Sequence, residues 1–398
     1  MLFLKKSDGL GIVSFSQERW NSVWRSRHQI MSILAHKNKV LFISTPFTIR
    51  DAIKIFISRN ENNEGCGLKK INKDLFSYQP PLWLPTLYRY QIIESVIARI
   101  RRMHLKFSIK KIELQPDIIY IWHPSFANRI DDFDDALIVY HCYDEYSTFD
   151  DVNLQNTKLS HEELALLKRA DIVFTVSEKT KQRRLPFNSN IHVVTNGVNF
   201  QLFSRAQDAK TCIPEDLKVI RGPIIGLVTT LTTILDVDLL ISIFELRPKW
   251  SFVFIGLMEE DPNKMNNSLR YFLKLPNVHV IGTRKQEEIP GYLKGCDVCT
   301  IPWILNELSM SGSPLKLYEY LAAGKPVVST PLSHLLFLRD VICFAKNTKE
   351  WIDAIEAALN DDARVLERQC VAREHTWDKK VEFITHQLVI TKKKTRLK

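Results

Sequence analysis

Short apolar runs alternate with longer amphipathic stretches along most of this chain. A chain patterned in this way has few choices. The runs become buried strands, the amphipathic stretches cross back over them as helices, and the product is a parallel α/β sheet. In the first half the runs are Val40-Leu41-Phe42-Ile43-Ser44, Ile118-Ile119-Tyr120-Ile121-Trp122, Leu137-Ile138-Val139-Tyr140 and Ile172-Val173-Phe174-Thr175-Val176. Helical stretches cover residues 22–35 and 159–169, and residues 59–85, with their Asn, Glu, Gly and Pro clusters, read as loop-rich. After Asn196-Gly197 the chain turns polar and then starts again. The second series is Pro223-Ile224-Ile225-Gly226-Leu227, residues 251–256, residues 278–282, residues 297–302 and Pro326-Val327-Val328-Ser329-Thr330.

A length of 398 residues suits two cores better than one. The expected division is residues 1–203, residues 204–376, and a final segment, 377–398, with a basic tail. In open parallel sheets ligands gather at the carboxyl ends of the strands, and these runs end in Gly, Pro or hydroxyl residues.

The most informative stretch is Ser311-Gly312-Ser313-Pro314-Leu315-Lys316-Leu317-Tyr318-Glu319, followed by Tyr320-Leu321-Ala322-Ala323-Gly324-Lys325-Pro326. Ser313 is a natural N-cap, Pro314 fits the first helical position, and Gly324 ends the helix. A loop of small residues therefore feeds a helix N-terminus, whose amides and dipole favour an anion such as a diphosphate. Lys316 adds a full charge in the first turn. Glu319, three residues on, can accept hydrogen bonds from ribose hydroxyls. A capped surface helix carrying an ordinary Lys–Glu pair would show the same residues.

The stretch resembles the donor-binding motif of bacterial glycosyltransferases with the type B (GT-B) fold, the glycosyl transferases group 1-like proteins of polysaccharide and glycolipid synthesis. Other segments carry the likeness too: Val193-Val194-Thr195-Asn196-Gly197-Val198 with Phe203, Leu275-Pro276-Asn277-Val278-His279-Val280-Ile281-Gly282, and residues 297–302. It runs from about Val13 to Trp377. The resemblance implies two facing Rossmann-like domains, the second holding a nucleotide sugar, and a last helix that returns to the first. It implies donor contacts at Ser313, Lys316, Leu317 and Glu319, with Gly226 in the first loop of the second domain beside the diphosphate, and Gly282 and Arg284 at a strand end that faces the base or phosphates. Two departures stand out. Ser311 occupies the place of a glutamate that in relatives touches the transferred sugar, and Thr229 stands where a second glycine is expected.

The acceptor and any catalytic base then fall to the first half. In Tyr140-His141-Cys142-Tyr143-Asp144-Glu145 a strand ends and titratable residues begin. The resemblance aligns His141 with a residue facing the reacting sugar. A histidine can accept a proton near neutral pH. Asp144 can orient His141 or act as the base itself, and His123 follows another strand as a further candidate. Packing at strand ends is the plain alternative for both histidines. Trp20, Trp24, Arg25, Arg27 and His28 form a pattern in which Trp20, Trp24 and Arg27 or His28 share a helical face by spacing, a face that suits either acceptor grip or aromatic packing.

The expected reaction moves a sugar from a nucleoside diphosphate to a hydroxyl of a glycan or lipid-linked acceptor. No cofactor and no metal are expected, since type B enzymes neutralise the leaving diphosphate with protein groups. Cys296 and Cys299 have metal or redox spacing but lack a second ligand pair. Asp132-Phe133-Asp134 reads as a solvated acidic loop. Neither a GxGxxG fingerprint nor a P-loop is present, which argues against dehydrogenases and NTPases. Two other readings stay open: a non-catalytic scaffold or sensor, prompted by Ser311 and Thr229, and a sugar-nucleotide epimerase.

Charge adds a last expectation. Of the net +10, residues 1–111 contribute 20 Lys or Arg against 7 Asp or Glu, more than the whole excess. Such a field suits an anionic membrane surface or acceptor. No nucleic-acid-binding signature accompanies it, and nucleic acid is not an expected partner. Seven scattered cysteines, no secretory leader and no long apolar run lead to the expectation of a cytoplasmic protein, peripheral at most on the inner face of a membrane.

Overall fold

The structure is a computed structural model. It describes residues 9–22, 24–57, 66–87, 90–133, 135–145, 158–229, 234–257, 265–306, 309–310, 312–361 and 363–395, with the side chains of Phe56, Lys158 and Leu159 left aside. Ser311 and Asp134 lie outside the described residues.

The chain forms two compact units, one of Met1–Val194 with Lys380–Lys398 and one of Thr195–Lys379. Sequence places the joint near Phe203. The units part earlier because Leu202 and Phe203 already belong to the core of the second.

In the first unit, strands β1 (Gly11–Ser16), β2 (Lys39–Ser44), β3 (Gly67–Lys70), β4 (Leu75–Gln79), β5 (Ile118–Ile121), β6 (Leu137–Cys142), β7 (Ile172–Thr175) and β8 (Ile191–Val193) form one sheet in the order β3-β4-β2-β1-β5-β6-β7-β8. All neighbours are parallel except β3 and β4. That antiparallel hairpin lies in the stretch read as loop-rich. Its strands are short, and β3, at the edge, is only half buried, so neither makes a long apolar run. Helices α1 (Ser26–Leu34), α2 (Ile49–Ile57), α3 (Gln91–Lys111), α4 (Lys158–Arg169) and α5 (Glu178–Arg184) complete this unit. Its core joins Val13, Leu41, Ile119, Ile121 and Tyr140 to Leu105, Ile109, Leu166 and Leu167.

In the second unit, β9 (Ile224–Val228), β10 (Ser251–Ile255), β11 (Val278–Gly282), β12 (Val298–Ile301), β13 (Val327–Ser329) and β14 (Cys343–Phe344) form a fully parallel sheet, ordered β11-β10-β9-β12-β13-β14. The helices are α6 (Phe200–Phe203), α7 (Glu215–Lys218), α8 (Val237–Leu246), α9 (Asn267–Phe272), α10 (Ile289–Gly295), α11 (Leu315–Ala322), α12 (Thr348–Leu359) and α13 (Val365–Glu374). One cluster gathers α6, α10 and α11, and another gathers α8 and α12, around side chains of alternate strand positions. The last helix, α14 (Trp377–Thr395), starts in the second unit and has most of its length in the first. There Lys392 pairs with Asp117 at 2.6 Å and Thr391 accepts from Asn190.

Each sheet reverses its strand order once, between β1 and β5 and between β9 and β12. These are the topological switch points, where an open parallel sheet presents a crevice at its carboxyl edge.

Candidate functional site

At the second unit's switch point, α11 is held against the end of β9 by its own buried tyrosine. Tyr320 accepts a hydrogen bond from the Val228 amide at 2.8 Å and donates to the Val228 carbonyl at 3.3 Å. Sequence reading passed over Tyr320 because its partner lies 92 residues away. Beside it, Thr229 donates its amide to Ile255 at 3.0 Å. Gly256 has φ of +154°, and a Cβ there would overlap the Thr229 carbonyl oxygen. The Gly256 amide in turn donates to the Gly282 carbonyl at 3.0 Å. Gly282, with φ of +78°, faces open space. Thr229, Gly256 and Gly282 therefore bring three strand ends together.

Gly226 is not in the loop. It sits inside β9, where a Cβ would come within 2.5 Å of Cys296 Sγ, so its smallness serves packing. Cys296 and Cys299 are buried thiols and belong to no group of three or more metal-ligating residues among the described residues.

The α11 terminus also differs from expectation. Pro314 is the N-cap and Leu315 the first helical residue, with no side-chain cap. Ser313 instead accepts from the Asn196 amide at 3.4 Å through its hydroxyl, and from Asn196 Nδ2 at 2.6 Å through its carbonyl. The Leu317 side chain is buried in the core, and its amide donates to Pro314 at 3.2 Å. Lys316 Nζ donates to Glu319 Oε2 at 2.8 Å. Lys316 keeps 28% of its side-chain surface, whereas Glu319 keeps 3%. Burial pushes the Glu319 carboxyl above its ordinary value, and the Lys316 ammonium draws it partly back. An ammonium has three donors, so one such bond leaves it able to meet an anion. On the same helix Tyr318 stacks on His375, centroids 4.3 Å apart, and burial lifts its hydroxyl to about 12.

Arg284 is engaged by protein. Its guanidinium donates to Tyr292 at 2.7 Å and to Asp216 at 2.9 Å, and these partners raise it further above its usual value. A role toward a base or phosphate requires it to leave or share those bonds.

In the first unit, His141 lies within β6, fully buried. It shares a hydrogen bond with the Tyr120 hydroxyl at 2.7 Å and stacks on Trp122 at 4.5 Å. Burial, with the Arg27 charge adding to it, lowers His141 to about 3. This corrects the expectation of a proton acceptor near neutral pH: a group so shifted holds a proton poorly. Tyr120, rather than Asp144, orients the ring. Asp144 is exposed and accepts from the Glu145 amide at 2.9 Å. His123 caps the 3-10 turn that follows β5, accepting from the Ser125 amide at 3.2 Å, with Gln17 at 3.0 Å across the switch point. Burial lowers it to about 4.

Trp20 and Trp24 precede α1 and so share no helical face with His28; they pack with it as a ring cluster, at 5.4 and 5.9 Å. Arg27 is buried, paired with Glu18, and lies 3.9 Å from the centre of the Tyr143 ring. Asp132 is no solvated loop residue: Arg102 at 3.2 Å and Arg129 at 3.4 Å pair with it. A buried network that the sequence did not announce joins Arg184 to Glu163 at 2.8 Å and Glu145 at 3.0 Å, with Tyr140 donating to Glu163.

Two sheets of these strand orders, one fully parallel with a helix terminus at its switch point, define the class: this is the type B glycosyltransferase fold. Residues 222–361, within the second unit, match the family described as glycosyl transferases group 1. The chain is 28% identical over 230 residues to the "Putative teichuronic acid biosynthesis glycosyltransferase TuaH" of Bacillus subtilis (strain 168), a match covering 54% of this chain and 56% of that protein. It thus spans about half the length of the curated relative it matches. Among solved structures, sucrose-phosphate synthase from Thermosynechococcus elongatus superposes with a TM-score of 0.67 at 14% identity, over 95% of this chain and 98% of that one. Anabaena HepE in complex with UDP and glucose gives 0.63 at 13% identity, over 96% and 99%.

Proposed function

We propose that the second unit binds a nucleoside-diphosphate sugar at the carboxyl edge of β9–β13, and that the chain transfers the sugar to a hydroxyl of a glycan or lipid-linked acceptor. The observation that carries this reading is the pairing of Lys316 with Glu319 in the first turn of α11, a helix fixed to the switch point by Tyr320. A helix start with an ammonium beside it suits a diphosphate, and a carboxylate one turn away suits ribose hydroxyls. The relatives point the same way. HepE is a solved complex with UDP and glucose, and TuaH bears the name of a teichuronic acid glycosyltransferase.

In the reaction the acceptor oxygen bonds to the anomeric carbon while the bond from that carbon to the phosphate oxygen breaks. The diphosphate leaves with the electron pair, and the acceptor proton passes to a base. Lys316 and the α11 amides stabilise the charge that develops on the leaving group, which is the electrostatic part of catalysis and calls for no metal ion. Asp144, an exposed carboxylate just past β6, is open to an acceptor hydroxyl, whereas His141 is buried and its burial weakens its basicity. His141 then packs with Trp122 and Tyr120 beneath the carboxyl end of β6.

A calorimetric screen of nucleoside diphosphates, followed by donor hydrolysis with and without acceptor, tests this. Binding of one nucleoside diphosphate, with turnover that chelator leaves unchanged, is the expected result. Failure of all of them to bind sinks the reading, and conversion of donor alone into an isomer points to an epimerase.

A further inference from the structure

The first unit carries a surface that its own core leaves unused. Helix α3 turns Arg101, Leu105, Ser108 and Ile109 inward. Ile92, Ile93, Val96, Ile100, Met103 and Phe107 stay exposed, Ile92 at 83% and Phe107 at 68%. At 3.6 residues per turn these six fall within an arc of roughly 100°. Arg99, Lys106 and Lys110, all exposed, lie along one edge of that arc. The one acidic residue of α3, Glu94, is held by Arg101 and by the Leu87 amide, so no exposed acid offsets the basic edge. The helix thus has three faces: one buried, one apolar and exposed, one basic.

The surroundings continue the pattern. Trp83, 66% exposed, stands edge-on to His104 of α3 at 6.1 Å. Arg101 binds the carbonyls of Leu84 and Pro85, and Thr86 bridges to Thr48 at the start of α2. Helix α2 exposes Ile49, Ile53 and Ile57, each four residues apart.

We propose that this face is an interfacial docking surface for a lipid bilayer with anionic headgroups. Exposed apolar area of this extent marks an interaction site. A long apolar stripe bordered by charges of one sign is what a helix lying in the plane of a membrane needs, with the stripe in the acyl boundary and the basic edge among phosphates. The excess of 20 Lys or Arg over 7 Asp or Glu in residues 1–111 supplies the longer-range attraction. No helix of the described residues is long and apolar enough to cross a membrane, so α3 docks on the surface rather than spanning it. The proposal stands on this surface and does not depend on the donor site.

The test is co-sedimentation of the full chain with vesicles of phosphatidylglycerol and phosphatidylcholine in equal parts, against vesicles of phosphatidylcholine alone. The chain is expected to bind the anionic vesicles, and to bind them more weakly as salt rises. Val96→Ser with Met103→Ser and Phe107→Ser is expected to lower partitioning at least about tenfold with thermal unfolding unchanged, since these side chains are exposed. Arg99→Gln with Lys106→Gln and Lys110→Gln is expected to lower it by roughly fivefold per charge at low salt, and to remove much of the salt dependence. Equal binding to both vesicle types, no binding to either, or full binding by the apolar triple variant overturns the proposal. So does a dimer in sedimentation velocity that the apolar triple variant converts to monomer, because that assigns the face to a second copy.

Discussion

Glu319 is a buried carboxylate whose ordinary ionisation is opposed by burial and supported by Lys316, 2.8 Å away. Removing either partner tests different things. Lys316→Ala is expected to lower nucleoside-diphosphate affinity about 10- to 100-fold, the range for a charged hydrogen bond, whereas Glu319→Gln keeps the ammonium and is expected to lower it less than about tenfold. Calorimetry reads both; equal affinity in wild type and Lys316→Ala removes the donor-site assignment. His141 carries a prediction of another kind. The unfolded chain takes up a proton at this residue below about pH 6.5, and the folded chain refuses it down to about pH 3, so stability is full above that window and falls as pH drops through it. His28 and His123, lowered to about 4, act in the same direction. His141→Gln is expected to reduce the stability lost between pH 7 and 5 by about 2 kcal/mol, read from urea unfolding at the two pH values. An unchanged loss means that burial does not set this ionisation. What the sequence disclosed of the site follows from the same contrast. Lys316 and Glu319 were legible because their relation is local, one turn of one helix. The burial of His141 was not, because Tyr120 and Trp122 lie in and just after another strand, nor was the capture of Arg284 by Asp216, which lies 68 residues away.

The strands most easily read in the sequence were those buried on both faces, such as β5, β6, β10 and β12, because a parallel sheet covered by helices makes each strand one unbroken apolar run. Elements with partial burial escaped. The β3–β4 hairpin lies at the edge of its sheet, and the exposed apolar residues of α3 blur the alternation that marks a surface helix. The linkage between α11 and the strand ends was equally hidden, and it can be probed element by element. Tyr320→Phe leaves two buried Val228 groups without their partner, and the expected loss is about 1–3 kcal/mol in denaturant unfolding. Among the glycines, Gly282→Ala has room and is expected to cost only about 1–2 kcal/mol, the penalty of the left-handed conformation. Gly256→Ala must overlap the Thr229 carbonyl and is expected to lower the unfolding midpoint much further, or to prevent folding. Equal midpoints for the two variants contradict the described meeting of β9, β10 and β11.

At the scale of the whole chain, the two units have separate cores, and the proposed donor contacts all fall in the second. A ligand stabilises what it binds in the folded state. At a concentration a hundred times its dissociation constant the gain is about 2.7 kcal/mol, which slows hydrogen exchange about a hundredfold wherever exchange requires that unit to open. Nucleoside diphosphate is therefore expected to protect the amides of β9–β13 and the start of α11, and to leave those of β1–β8 nearly unchanged. Exchange followed by mass spectrometry resolves the two sets, since they share no segment of chain. Lys316→Ala supplies the control. It is expected to abolish the added protection at the same ligand concentration while the unliganded pattern stays as in wild type. Protection concentrated in β1–β8 would place the nucleotide in the other unit, and with it the helix terminus of α11 would lose its assigned role.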